Sequence, residues 1–208
     1  MNTREKTLRQ AAANGQFETV RQLHTDGINI NSGGPDSGKT ALHWAAENGH
    51  LDIADFLIAR VNDINCQDNK GNTPFHYVCE SDKGSLTDKI EIIKHLLDSK
   101  ADPLLANNDG KTPFMAFLKI RDNSQLASRP TAQGEVRDLI RKMKMHVAEV
   151  ARTIGVSARI RPTGEVIFDT TGQLIADSKT SDIPASGQVS VNMIDRRSSF
   201  SIKLAPHK

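Results

Sequence analysis

One block of residues recurs through the first half of the sequence. Gly38-Lys39-Thr40-Ala41-Leu42-His43 returns as Gly71-Asn72-Thr73-Pro74-Phe75-His76, and again, with methionine in place of histidine, as Gly110-Lys111-Thr112-Pro113-Phe114-Met115. Thr40 to Thr73 spans 33 residues and Thr73 to Thr112 spans 39, which is a period of 33 with six residues added in the later copy. A fixed period of this length restricts the fold to a stack of small units, each packing on its neighbours because none can bury its own apolar side alone.

The wording of the block has local physical causes. Gly38 and Gly71 can take the positive φ that a tight turn needs, and the oxygen of Thr40 or Thr73 can cap free N–H groups of the helix that follows. Pro74 and Pro113 stand at the first helical position, where a missing N–H costs nothing. Leu42, Ala45 and Ala46 then share one helical face, small enough for a neighbouring helix to approach closely, and Gly49 ends the helix. A second helix follows in each copy. It carries Phe17 to Leu23 in the first, Ile53, Phe56, Leu57 and Ile58 within Leu51 to Ala59 in the second, and Glu91 to Leu97 in the third.

This period and this wording resemble the ankyrin repeat. On that resemblance residues 1–146 are expected to form a repeat domain. It comprises a capping repeat at 1–33, repeats at 34–66 and 67–104, and a degenerate last repeat at 105–146. The first copy lacks the usual Thr-Pro-Leu-His opening, and its polar Arg4, Glu5, Arg9 and Gln10 suit an outer face with no neighbour. The six added residues are expected as a loop around Ser81 to Leu86. Insertions in repeats map to loops, often on the working face.

From Glu135 the apolar residues Val136, Leu139, Ile140, Met143, Val147, Val150 and Ile154 form one stripe of a helix about 30 Å long, ended by Gly155. A polar loop, Arg121 to Gln133 with Pro130 as its breaker, is expected before it. Thereafter the period changes to two. Val166 and Phe168, then Val189, Val191 and Met193, then Phe200, Ile202 and Leu204 read as antiparallel strands, with turns at Thr171-Gly172 and Asp195 to Ser198 and a continuation at Leu174-Ile175-Ala176. The fold expected is therefore mainly α: an ankyrin solenoid, a long terminal helix, and a small antiparallel β module within 147–208 that resembles no family.

Gly33-Gly34-Pro35-Asp36-Ser37-Gly38-Lys39-Thr40 spells the phosphate-loop pattern GxxxxGK[ST], but no buried strand precedes it, and Gly38 and Thr40 already have repeat counterparts in Gly71 and Thr73. Regulatory nucleotide binding there, or an enzyme site in the β module, is the alternative to a binding role. His43 and His76 share one repeat slot, where the resemblance implies an imidazole bonded between the helix start and the adjacent turn. Cys66 and Cys79 form no metal or redox pair. Arg137, Arg141, Lys142 and Lys144 fall off the apolar stripe and read as a solvated helix face. The net charge of +2 does not argue for nucleic acid, and no apolar run approaches a membrane span. No signal peptide is legible at the N-terminus, so a cytoplasmic location is expected.

The resemblance implies no catalysis, no cofactor and no metal. It implies a protein partner held by hairpin tips and inner helices. The positions expected to line that surface are Asp36, Lys39, Trp44, Glu47 and Asn48 in the second copy, and Asn69, Lys70, Asn72, Tyr77 and Glu80 in the third. Trp44 either packs between neighbouring inner helices or opens on the concave face, and in the second case it and Tyr77, one period apart, would be apolar anchors. The β module would supply a second surface or a dimer contact. An effector acting on host proteins from a host cytosol is the narrower expectation, fitting the unfamiliar tail.

Overall fold

The computed structural model describes residues 3–121, 130–153, 157–163, 166–169, 188–192 and 201–204. The chain divides into two compact units, Met1–Val136 and Arg137–Lys208. The first is built from helix pairs: α1 (Thr3–Ala13) with α2 (Phe17–Thr25), α3 (Ala41–Asn48) with α4 (Leu51–Ile58), α5 (Pro74–Glu80) with α6 (Leu86–Asp98), and α7 (Pro113–Arg121). The inner helices α1, α3, α5 and α7 pack in sequence order, and the outer helices α2, α4 and α6 form a second layer behind them. Leu8, Leu42, Ile53, Leu57, Phe75, Ile92, Ile93, Leu96, Phe114 and Phe117 fill the space between the layers. The small inner faces matter here, since Ala11, Ala12, Ala41, Ala45 and Ala46 are all buried at helix contacts where a larger side chain would hold the backbones apart.

The helix starts follow the sequence reading, with histidine in an added role. Thr73 accepts from the His76 N–H at 3.4 Å, and the Thr73 N–H donates to His76 Nδ1 at 3.0 Å, a capping box that uses imidazole where glutamate is more usual. The Thr40 N–H donates to His43 Nδ1 in the same way at 3.1 Å. Since Nδ1 accepts, the proton lies on Nε2, which donates across the repeat boundary: His43 to the Asn72 carbonyl at 3.1 Å, His76 to the Lys111 carbonyl at 3.0 Å. Each ring thus closes its own helix and grips the next turn. Met115 stands where a third such histidine would be.

Three expectations are corrected here. Arg9 is not an exposed polar group of the capping face but is buried, its guanidinium donating to the Ser32 carbonyl at 3.4 Å under the first tip. The third repeat's insertion is only partly a loop. Residues 81–85 are non-helical, but Ser85 caps the Asp88 N–H at 3.0 Å and Leu86 to Lys89 extend α6 backward, so that it has 13 residues against eight in α4. Ile90 faces the core, and so the added turn is seated by burial. Lastly, Pro130 does not break a loop: it begins helix α8 (Pro130–Thr153), in the position where proline's fixed φ favours a start. Most of the loop expected between α7 and α8, residues 122–129, lies outside the described residues.

Along α8 the stripe Val136, Leu139, Met143, Val147 and Ala151 is buried, while Arg137, Arg141, Lys142 and Lys144 are exposed as expected of a solvated face. Glu135 near its start reaches Lys94 of α6 at 3.4 Å. In the second unit, β1 (Ser157–Ile160), β2 (Val166–Asp169), β3 (Gln188–Asn192) and β4 (Ser201–Leu204) form an antiparallel meander in chain order. β2, β3 and β4 fall where the alternation put strands. β1 was not expected: four residues are too few to display a period, and its identity comes from its partner, with Ser157 opposite Asp169 and Ile160 opposite Val166. Val189 stands opposite Leu204 and Val191 opposite Ile202. Leu174-Ile175-Ala176, Met193, Phe200 and both expected turns lie outside the described residues.

Candidate partner-binding surface

Each repeat opens with a turn at its tip, and successive tips are bonded into a row. The Asn69 N–H donates to the Ser37 carbonyl and the Asn108 N–H to the Lys70 carbonyl, both at 3.0 Å. Their side chains repeat the pattern: Asn69 Nδ2 donates to the Asp36 carbonyl at 3.0 Å and Asn108 Nδ2 to the Asn69 carbonyl at 3.1 Å. Gly38 and Gly71 have φ near +75°, and a methyl on either would also come within 2.6 Å of the next repeat's asparagine oxygen. Glycine is therefore demanded twice, by its own backbone and by its neighbour's tip. Asp68 and Asn107, three residues before Gly71 and Gly110, hold the turns from inside. Asp68 Oδ1 accepts from the Lys70 and Asn72 N–H groups at 2.9 and 2.8 Å, and Asn107 Oδ1 accepts from Asp109 and Lys111 at 3.0 and 2.9 Å.

The same row disposes of the phosphate-loop pattern. The Gly34 N–H donates to the Lys39 carbonyl at 2.9 Å, the Gly38 N–H to the Gly34 carbonyl at 2.7 Å, and the Lys39 N–H to Ser37 Oγ at 3.2 Å. Amides spent inside the turn do not converge on an anion. Lys39 itself turns away from the loop.

Beside the tips lies a cluster on the inner helices. Lys39 Nζ pairs with Glu47 at 2.7 Å and stands 4.5 Å from the Trp44 ring centroid and 3.9 Å from that of Tyr77. Tyr77 donates its hydroxyl to Asp68 Oδ2 at 2.6 Å and meets the His43 ring edge-on at 5.8 Å. Burial, aided by the Asp68 carboxylate, pushes the phenol pKa up. Burial likewise drives the His43 imidazole down to about 4 and His76 in the same direction, the backbone carbonyls they bond opposing it. Both rings are kept neutral at pH 7.

Of the ten positions read from sequence, Lys39, Trp44, Glu47 and Tyr77 come together in this cluster, all half-buried. Asp36, Asn69 and Lys70 are exposed in the tip row, and Glu80 is exposed at the end of α5. Asn48 is half-buried, its side-chain amide donating to the Trp44 carbonyl at 2.8 Å. Asn72 does not belong with them as a free surface group: it is buried, its carbonyl receives His43, and its side-chain oxygen accepts from Asn107 at 2.8 Å. The sequence reading missed Asp68, Ser81 and Lys83. Asp68 was legible as a turn-holding aspartate before Asn-Lys-Gly. The other two lie in the insertion, which folds back so that Ser81 donates to the Glu47 carbonyl and Lys83 Nζ comes within 3.9 Å of Glu47 Oε1. There Gly84 meets Gly49, and a Cβ on Gly84 would lie 2.8 Å from the Gly49 Cα.

Among the described residues no group of three or more His, Cys, Asp or Glu is placed to hold a metal, and no described helix is long and apolar enough to cross a membrane. The family of ankyrin repeats, in three copies, matches residues 8–102. Residues 8–102 are ankyrin repeats. Its relatives include an ankyrin repeat-containing protein of Schizosaccharomyces pombe, 34% identical over 53% of this chain and 49% of that one. The Neurogenic locus Notch protein of Drosophila melanogaster is 32% identical over 59% of this chain and 4% of its own length. A putative ankyrin repeat protein of Rickettsia felis is 36% identical over 44% of this chain and 41% of its own. The chain thus spans half or less of the length of each of these relatives. Ankyrin repeats are protein–protein interaction modules, generally without enzymatic activity of their own.

Proposed function

We propose that this ankyrin chain is an adaptor that holds a protein partner across its hairpin tips and the exposed face of its inner helices. The observation that carries the reading is the pairing of two rows on one rigid stack. Exposed Asp36, Asn69 and Lys70 follow one another along the hydrogen-bonded tips, and half-buried Trp44 and Tyr77 recur one period apart beside them. Aromatic anchors in partly closed settings carry most of the affinity of typical interfaces, and charged rims set orientation and approach rate. Equivalent side chains standing in rows let a partner touch several repeats at once.

Trp44→Ala combined with Lys70→Glu is expected to weaken partner capture by the full chain at least tenfold with the helical circular dichroism unchanged. Capture that survives this pair but is lost when residues 156–208 are removed would move the binding site to the β module. A dimer contact through that module is the companion reading, tested by sedimentation of the full chain. Residence in a cytoplasm, and delivery to a host cytosol as an effector, are the narrower forms of the proposal. A translocation reporter fused to the chain tests the second.

A further inference from the structure

The Lys39 ammonium occupies a setting shaped for an organic cation. Two ring faces at 3.9 and 4.5 Å and a carboxylate at 2.7 Å enclose it on three sides. Aromatic quadrupoles together with a carboxylate attract an ammonium or guanidinium that sheds part of its hydration. The walls are anchored from the helix frame and not from the tip turn that carries Lys39. The Tyr77 ring is held by Asp68 and braced on His43, while Trp44 and Glu47 stand on one helix whose backbone is tied by Asn48 and Ser81. The guest, by contrast, reaches in from the tip turn on a flexible four-carbon stem. With Lys39 swung out, Glu47 would keep only Lys83, at 3.9 Å.

We propose that the Trp44, Tyr77 and Glu47 cage is a recognition site for an arginine side chain of the protein partner, and that Lys39 is a resident guest which this arginine displaces. Arginine fits better than lysine because its planar guanidinium stacks on ring faces, is weakly hydrated, and can meet a carboxylate through two N–H groups. Lys39 acts as an intramolecular competitor at an effective concentration in the millimolar range, which raises the affinity a partner needs. The proposal rests on the adaptor reading but tests separately from it.

Trp44 is the single tryptophan, so its fluorescence reports the cage directly. The full chain is titrated with Nα-acetyl-arginine amide at constant ionic strength, with the neutral isostere Nα-acetyl-citrulline amide as control. The Lys39→Ala variant should show a saturable change with an apparent Kd at least tenfold below wild type, citrulline should give none, and adding Glu47→Gln should abolish it. Lys39→Ser serves as a second opening variant should the alanine protein fold poorly by circular dichroism. Equal affinities in wild type and the opened variants, an equal response to citrulline, or binding that survives Glu47→Gln would overturn the proposal. If arginine fails in the opened variants while capture of the partner still depends on Trp44 and Lys70, the cage falls and the adaptor reading stands.

Discussion

Buried His43 makes the stability of the stack depend on pH in a calculable way. Its ring is saturated while neutral: Nδ1 accepts from Thr40 and Nε2 donates to the Asn72 carbonyl. A second proton on Nδ1 would break the bond from the Thr40 N–H, leaving only the Thr40 hydroxyl at 2.9 Å to receive it, and would place a charge in a buried site. An ordinary histidine titrates at 6.5, and burial brings His43 down to about 4. Between those values the unfolded chain binds a proton that the folded chain does not. The stabilisation is therefore complete above pH 6.5 and is lost as pH falls towards 4. At about 1.4 kcal/mol per pH unit, this ring alone should cost the fold roughly 2 kcal/mol between pH 7 and pH 5, and roughly 3 kcal/mol once pH is below 4. Urea unfolding at pH 7 and pH 5 measures it, with His43→Gln as reference. Glutamine can still accept from the helix start but carries no titrating proton, and the other groups, His76 included, cancel in the comparison. Wild type should lose roughly 2 kcal/mol more than His43→Gln on going to pH 5. A difference under about 0.5 kcal/mol would refute the linkage, and with it the view that burial holds this ring neutral.

Three further outcomes are expected. Leu57→Ala deletes buried volume between α4 and its neighbours and should cost about 2 to 5 kcal/mol in chemical unfolding; a loss under about 1 kcal/mol would mean that the outer helix is misregistered. Gly71→Ala and Gly110→Ala carry the same backbone strain at φ +75° and +74°, but only Gly71 has an asparagine 2.6 Å from the new methyl, so its alanine variant should be the less stable by about 1 kcal/mol or more in thermal melts, and equal losses would contradict the tip row. Magnesium nucleotide should produce no saturable heat by calorimetry at millimolar ligand, because the Gly34 and Gly38 amides are spent inside the turn; micromolar binding lost in Lys39→Ala would reverse that conclusion.

What could be read in the sequence is what short stretches decide for themselves. The turn glycines, the capping threonines, the prolines at helix starts and the alternation of β2, β3 and β4 each act within a few residues, so a linear string displays them. The recurrence at 33 residues added the stack, because identical units can bury their apolar faces only against one another. Hence Trp44 and Tyr77 were legible as a pair, and His43 and His76 as structural. What the string does not carry is which polar group faces a neighbour. Asn72 looks like a free tip residue until His43, 29 positions earlier, donates to its carbonyl, and Arg9 looks solvated until the Ser32 carbonyl lies over it. Lys39 reads as half of a phosphate motif, and only the approach of α5 to α3 brings Tyr77 over its ammonium to make a cation site. The insertion reads as a polar loop, yet burial of Ile90 winds its second half into α6 while Gly84 settles on Gly49. In each case the deciding contact joins residues far apart in the chain, and its geometry exists only after the repeats have stacked.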